Sequence, residues 1–256
     1  MFGYLPNDDS QPVITAQGHI ASAHGSSCVR LPETCVLYFF SRAVPFLISH
    51  FKTRTLTEHL PCFLVNSPCY TLETRTDICF VHSGLGAPCA ADMVETLAAL
   101  GVRRILVSGL CGVFASGIQA GDWILPEKIL SEEGTSRHYL ENAQWAEADP
   151  LLYEKAQSFF DARGGVVPQN TVTTDAIYRQ TFKKEAQWRD MGCVGVDMEG
   201  SAALNVARYL GIPSAALFMA SDVHPLTPDE PGWDWHLTRE QREAFALQCM
   251  EFAMSL

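Results

Sequence analysis

GVDMEGSAALNVA at residues 195–207 and SAALFMASD at residues 214–222 decide how this chain folds. Together they read as strand, acidic turn, helix, strand and acidic end. The first run brings Asp197, Met198 and Glu199 to a strand-to-helix junction. Its helix then sets Ala203, Val206, Ala207 and Leu210 on one face, at helical spacing. The second run carries Asp222 to the end of an apolar strand. In an α/β protein, ligands bind outside the carboxyl edge of the sheet, where such strand-end carboxylates stand.

The same alternation extends outward. VLYFF (36–40) reads as a buried strand, and SRAVPFLISHF (41–51) as a helix with Ser41 as its N-cap. CFLV (62–65) and ICFVHSG (78–84) read as short strands. PCAADMVETLAAL (88–100) has helical spacing, with Pro88 in its first turn and Gly101 closing it. RILVSGL (104–110) is a buried strand, followed by glycine turns and WILPEKIL (123–130). Asp149 caps an amphipathic helix through residue 163, and GVVPQNTVTT (165–174) is a strand bent at Pro168. KKEAQWRDM (183–191) is helical, and a long helix capped by Thr238 ends the chain over 237–256. Residues 1–34 are polar, an irregular arm ahead of a domain over 35–256. Strands alternating with helices predict one mixed sheet covered by helices on both faces.

Composition narrows the function. The 256 residues suit one large α/β domain. A net charge of −11 with no block of Lys or Arg argues against nucleic-acid or anionic-membrane partners. The nine cysteines, with no CxxC, suggest neither a disulfide framework nor a zinc ribbon, and fit a reducing cytoplasm. No basic-then-apolar leader opens the chain, and no apolar run is long enough to span a bilayer.

VDMEGSAAL followed by SAALFMASD resembles the nucleoside phosphorylase family, which includes purine nucleoside phosphorylase, uridine phosphorylase and methylthioadenosine nucleosidase. TTDAIYR (173–179) and EEGTSRHYL (132–140) extend the resemblance over roughly 35–225, the latter toward uridine phosphorylase-like members. It implies a single-domain α/β fold of three layers, α/β/α, with a central mixed, partly barrel-like sheet. It also implies cleavage of a nucleoside N-glycosidic bond, with inorganic phosphate as co-substrate, no metal or organic cofactor, and assembly as a homo-oligomer, dimer or hexamer.

That chemistry builds positive charge on the ribose and negative charge on the departing base. Carboxylates flank a similar cation-like transition state in glycoside hydrolysis. By resemblance Glu199 and Met198 hold the ribose, beside Asp197, and Asp222 acts on the base. At a helix N-terminus Glu199 is expected to stay ionised and to accept ribose hydroxyls; a plain helix-supporting glutamate is the alternative. Partial burial is expected to raise the Asp222 pKa and suit it to general acid work; the alternative is a turn-forming Asp before Pro225. The resemblance sets Ser83 of HSGLGAP, and Cys111 and Gly112 of VSGLCGV, at the substrate. Ile177 stands where relatives place a base-stacking ring, leaving Tyr178 as the aromatic there, with core packing as its alternative. Arg137 and His138 reach the base or a neighbouring subunit, or belong to a solvated loop. Gln180 and Lys183 lie near, but out of register with, the residues that read uracil. Trp233 or Trp235 either closes over the base or anchors its own loop.

The chain departs from the family at phosphate. Relatives carry Gly-Asp-Pro-x-Arg after the first strand, where this chain has YFFSR (38–42): Arg42 remains and Tyr38 replaces the glycine. Val107 stands where a second arginine is usual, Leu110 replaces a hydroxyl, and Ser108 faces away if the strand is regular. Arg30, Arg54 or a neighbour's arginine are candidates to compensate. Water as acceptor is the alternative, although VLYFF lacks the acid with which the family's nucleosidases activate it. A binding protein with little turnover is a third reading.

Overall fold

A computed structural model describes residues 10–25, 29–235 and 237–256. The opening stretch, Cys28 and His236 lie outside the described residues. The chain runs α1 (Ala16–Ala21), β1 (Thr34–Tyr38), α2 (Ala43–His50), β2 (Thr53–Thr57), β3 (Cys69–Leu72), β4 (Arg75–His82), α3 (Ala87–Ala99) and β5 (Arg104–Val113). It continues through β6 (Trp123–Ile124), β7 (Lys128–Ser131), β8 (Trp145–Glu147), α4 (Pro150–Asp161), β9 (Asn170–Thr173), α5 (Phe182–Asp190), β10 (Cys193–Asp197), α6 (Gly200–Tyr209), β11 (Ser214–Val223), β12 (Asp234–Trp235) and α7 (Arg239–Ser255).

The twelve strands form one mixed sheet, as the alternation of elements predicts. Its organising member is β5, an apolar strand long enough to hold three partners. One edge pairs in parallel with β11 from Ile105 to Val113. The other pairs in parallel with β1 over Arg104–Ser108, then antiparallel with β10 at Gly112 and Val113. The sheet therefore changes direction beside the carboxyl end of β5, and β10, β9 and β7 continue it.

Helices cover both faces. Ser108 and Leu217 are partners on one face, where Tyr38 Oη donates to the Ala246 carbonyl of α7 at 2.9 Å and Ser108 Oγ donates to Cys249 Sγ at 3.2 Å. Gly109 and Phe218 lie on the other face, where α6 comes so close that a Cβ on Gly200 would strike the Phe218 ring. Thr238 caps α7 in a reciprocal capping box with Gln241. Asp149 caps α4 by accepting from Leu152 N at 3.0 Å.

Three local readings are corrected. CFLV is not a strand: residues 62–65 are irregular, with Phe63 and Leu64 more than half exposed. The edge strands beyond β4 are instead β2 and β3. Ser41 does not cap α2; Arg42 holds that position in a helical conformation without a side-chain bond. The strand over 165–174 is interrupted at Pro168, which lacks an N–H for a ladder: Val167 makes an isolated bridge to Ile124, and β9 starts at Asn170. Among the described residues no helix is long and apolar enough to cross a membrane, and the eight described cysteines are all free.

Candidate active site

Gly112, near the end of β5, pairs with Val196 of β10 on one side and Asp222 of β11 on the other. This register brings both acidic motifs to the same strand end.

On the β10 side, Asp197 ends the strand and turns its carboxylate into the start of α6. Its Oδ2 accepts from Glu199 N at 2.8 Å and from Gly200 N, and its Oδ1 accepts from Thr173 Oγ1 at 2.7 Å. Both oxygens are thus engaged by the protein, and Asp197 builds the turn that presents Glu199. Gly200 is required there, since a Cβ would also come within 3.0 Å of Asp197 Oδ2. Glu199 is buried and accepts from Gly86 N, at the head of α3, through Oε1 at 2.6 Å. Met198 between them is half-buried. Burial and the charge of Asp197 raise the Glu199 pKa, against the backbone donors of Gly86 and Met198. The expectation of a carboxylate kept ionised by the helix terminus is therefore revised. Desolvation outweighs the dipole, and Asp197, raised chiefly by its own burial, adds like-charge repulsion.

The EEGTS loop supports this turn from below. Glu133 is buried, and Oε2 accepts from Thr135 N at 2.5 Å and Ser136 N at 3.0 Å, while Oε1 accepts from Ser201 Oγ at 3.0 Å. Arg137 and His138 point outward from the short 3-10 turn that follows.

On the β11 side, Asp222 is enclosed by donors. Oδ1 accepts from Ser221 Oγ, and Oδ2 from Trp233 Nε1 and from His224 Nε2 at 3.1 Å. The other His224 nitrogen, Nδ1, lies 2.7 Å from Oε1 of buried Glu185 on α5. The expected rise in the Asp222 pKa is overturned. Burial alone would raise it, but the bonds from His224, Ser221 and Trp233 hold it below the ordinary carboxylate value. For His224 burial works to lower the pKa, yet the two carboxylates win and raise it to about 9. At neutral pH the pair is therefore carboxylate and imidazolium. Gly112 makes room for it, since a Cβ there would overlap His224 Nε2 and lie 3.0 Å from Asp222 Oδ2. Cys111 is buried beside the two acidic arms. Burial, then the charges of Asp197 and Asp222, keep its thiol protonated.

On the acceptor side, Ser83 N donates to the Tyr38 carbonyl at 2.9 Å, which joins the ends of β1 and β4. Ser83 Oγ is fully buried and has no hydrogen-bond partner among the described residues. The Arg42 side chain makes no capping bond at the head of α2. The turn after β1 is filled rather than hollow: Phe39 and Phe40 are buried, and Phe40 meets Tyr38 edge-on at 5.7 Å. Val107 is buried, and Ser108 faces α7 as strand alternation predicts. Arg30 precedes the opposite, amino-terminal end of β1, and Arg54 lies on edge strand β2.

The turn that carries Ile177 and Tyr178 is open. Ile177 is 52% and Tyr178 94% exposed on a 3-10 turn, so Tyr178 packs into no core. Gln180 is half-buried beside them and Lys183 is exposed. Trp233 is 58% exposed even while bonded to Asp222; Trp235 pairs with Asp222 in the β11–β12 hairpin. Neither His224 nor Glu185 stood out in the sequence. His224 follows Asp222 by two, the spacing that returns a side chain to the same face of a strand. Glu185 gave no such signal, because only the packing of α5 brings it to His224.

A family model described as the phosphorylase superfamily matches residues 39–251. A guanosine phosphorylase of Halorubrum lacusprofundi is 29% identical over 143 residues, 56% of this chain and 59% of that protein, so the match spans less than two thirds of the relative's length. The purine nucleoside phosphorylase of Toxoplasma gondii, solved with immucillin-H, superposes with a TM-score of 0.74 at 19% identity, over 95% of this chain and 97% of that one. AMP nucleosidase from Bacteroides thetaiotaomicron gives a TM-score of 0.67 at 22% identity, over 88% and 90%. These two likenesses show the fold. The family model spans most of the chain, and on that ground this protein belongs to the phosphorylase superfamily.

Proposed function

We propose that the protein cleaves the N-glycosidic bond of a nucleoside and transfers the sugar to inorganic phosphate. The observation that carries this reading is the placement of Glu199 and Asp222 on either side of the β5 end, one at a helix head and one on a strand, both buried. Glu199, once ionised, accepts ribose hydroxyls and offsets the positive charge that grows on the sugar. Met198 packs on the sugar. Asp222 faces a ring nitrogen of the base in the position that the Trp233 indole N–H now fills. Arg42 and the unpartnered Ser83 hydroxyl supply donors for phosphate. The reading calls for no metal or organic cofactor. A relative named guanosine phosphorylase favours a purine as the base. The exposed Ile177 and Tyr178 support a homo-oligomer in which a neighbour covers the base side.

One observation favours hydrolysis as the second reading. The turn after β1 is packed with aromatic rings, and Val107 supplies no charge, so the acceptor side holds fewer anion donors than a phosphate dianion uses. Release of free base from a panel of purine and pyrimidine nucleosides, with and without phosphate, tests both. Phosphate-dependent release with ribose 1-phosphate formed supports phosphorolysis. Equal release without phosphate makes the protein a nucleosidase. Binding without release, lost in Glu199→Ala, leaves a nucleoside-binding protein.

A further inference from the structure

A departing base needs a proton, and Asp222 is poorly equipped to provide one. It is an ionised carboxylate surrounded by three donors. Two of these, the Ser221 hydroxyl and the Trp233 indole, hold their protons too tightly to give them up near neutral pH. The third, His224, is a cation held between two carboxylates from different elements, Asp222 on β11 and Glu185 on α5. Among the described residues, Phe114 lies with its ring centroid 6.5 Å from that of His224, and Gly112 backs the imidazole without a side chain. Arg189, the cation near the end of α5, is committed to the Phe114 carbonyl at 3.0 Å.

We infer that His224 supplies the proton that the leaving base takes up, passing it through Asp222, while Glu185 holds the ring in the orientation that makes this transfer possible. This rests on the glycosidic cleavage proposed above. As the bond between C1′ and the base nitrogen breaks, its electron pair stays on the base, and C1′ forms its new bond to the acceptor oxygen. The proton on His224 Nε2 moves to Asp222 Oδ2, and a proton from that carboxyl moves to a ring nitrogen of the base. Asp222 ends ionised, as it began. His224 ends as neutral imidazole, keeping its Nδ1 proton toward Glu185, and regains the other proton from water after the base departs. His224 and Glu185 act through Asp222, as positioning and proton-supplying residues, and touch no reacting atom themselves. The tight seat of the ring is what such a relay needs, since a donor must stay within hydrogen-bond reach of its acceptor.

The test compares two leaving groups in wild type, His224→Gln and Glu185→Gln. One substrate is the natural nucleoside found to be cleaved in the panel. The other is 4-nitrophenyl β-D-ribofuranoside, whose leaving group departs as a stable phenolate and needs no proton. His224→Gln is expected to lower kcat/KM on the nucleoside by about 100-fold or more, within the usual range for general acid–base groups, and to erase the alkaline limb of its pH profile. The same variant is expected to stay within about fivefold of wild type on the nitrophenyl riboside, since that step bypasses the relay. Glu185→Gln, which keeps the shape and removes one charge, is expected to move the alkaline limb to lower pH. Equal losses on both substrates, or a wild-type alkaline limb in His224→Gln, would overturn the relay while leaving glycosidic cleavage intact. A wild-type protein that cleaves no nucleoside overturns the cleavage reading itself.

Discussion

Gly112→Ala isolates the geometry on which the β11 side of the site depends. No positive φ is recorded at Gly112, so alanine adds no backbone strain and the effect is steric. The added methyl would lie 3.0 Å from both Asp222 Oδ2 and His224 Cε1, against an ordinary contact range that begins at 3.4 Å, and closer still to His224 Nε2. The imidazole has little room to retreat, because Glu185 fixes its far nitrogen at 2.7 Å. Clearing the methyl takes Nε2 away from Asp222 and forfeits a charge-assisted hydrogen bond, worth roughly 1.5–3 kcal/mol. If that bond is used fully in the transition state, kcat/KM falls about 10- to 150-fold. A similar figure should leave urea stability, because the pair is buried in the folded protein. Steady-state kinetics on the best nucleoside of the panel, with urea denaturation of the same preparations, measures both. A variant within twofold of wild type in kcat/KM and within about 0.5 kcal/mol in stability would refute the idea that Gly112 is there to seat His224.

Four further outcomes are expected. The pH profile of kcat/KM should be bell-shaped: the Glu199 pKa is raised, so activity falls on acidification above the ordinary carboxylate range, while loss of the His224 proton near pH 9 sets the alkaline side. The same raised His224 value makes its contribution to stability full below its unfolded value of 6.5 and lost as pH climbs through about 9, a fall in Tm that His224→Gln should flatten. Arg42→Ala should raise the KM for phosphate by about 10- to 100-fold, the loss of one or more charge-assisted bonds, with nucleoside KM little changed; an unchanged phosphate KM would remove Arg42 from the acceptor site. Glu133→Gln replaces a carboxylate that accepts from three donors, and urea denaturation should show a loss of about 1–3 kcal/mol, with a site that still binds nucleoside if Glu133 serves only to brace the turn.

Much of the fold was legible because the core elements announce themselves. The apolar runs at β1, β5 and β11 and the capped helices α4 and α7 each follow from a local pattern. The edge was less legible. TRTLT forms β2 with no buried residue, whereas the more apolar CFLV stays irregular, because edge pairing is decided by neighbours rather than by apolarity. In the site, sequence brought forward the residues at strand and helix ends but not their states. The sequence places Asp197 beside the ribose-holding pair, and only the structure shows that both its oxygens accept from the turn it builds. Burial suggests a raised pKa for Asp222, and the donors that lower it come from the same strand, from the residue two positions on and from the connection between β11 and β12. A carboxylate's charge state depends on which neighbours turn toward it, and even for near neighbours in the chain only the folded strand end settles that.

The tyrosine at position 38 has an effect on the order of assembly. Its hydroxyl is satisfied by the carbonyl of Ala246, 208 residues further along the chain. Loop closure across such a separation comes late and is slow. The first strand of the sheet leaves the ribosome early but cannot complete its buried hydrogen bonding until the final helix has emerged. A chain cut short before residue 246 would keep both acidic motifs and yet leave β1 with an unanswered phenol in its core.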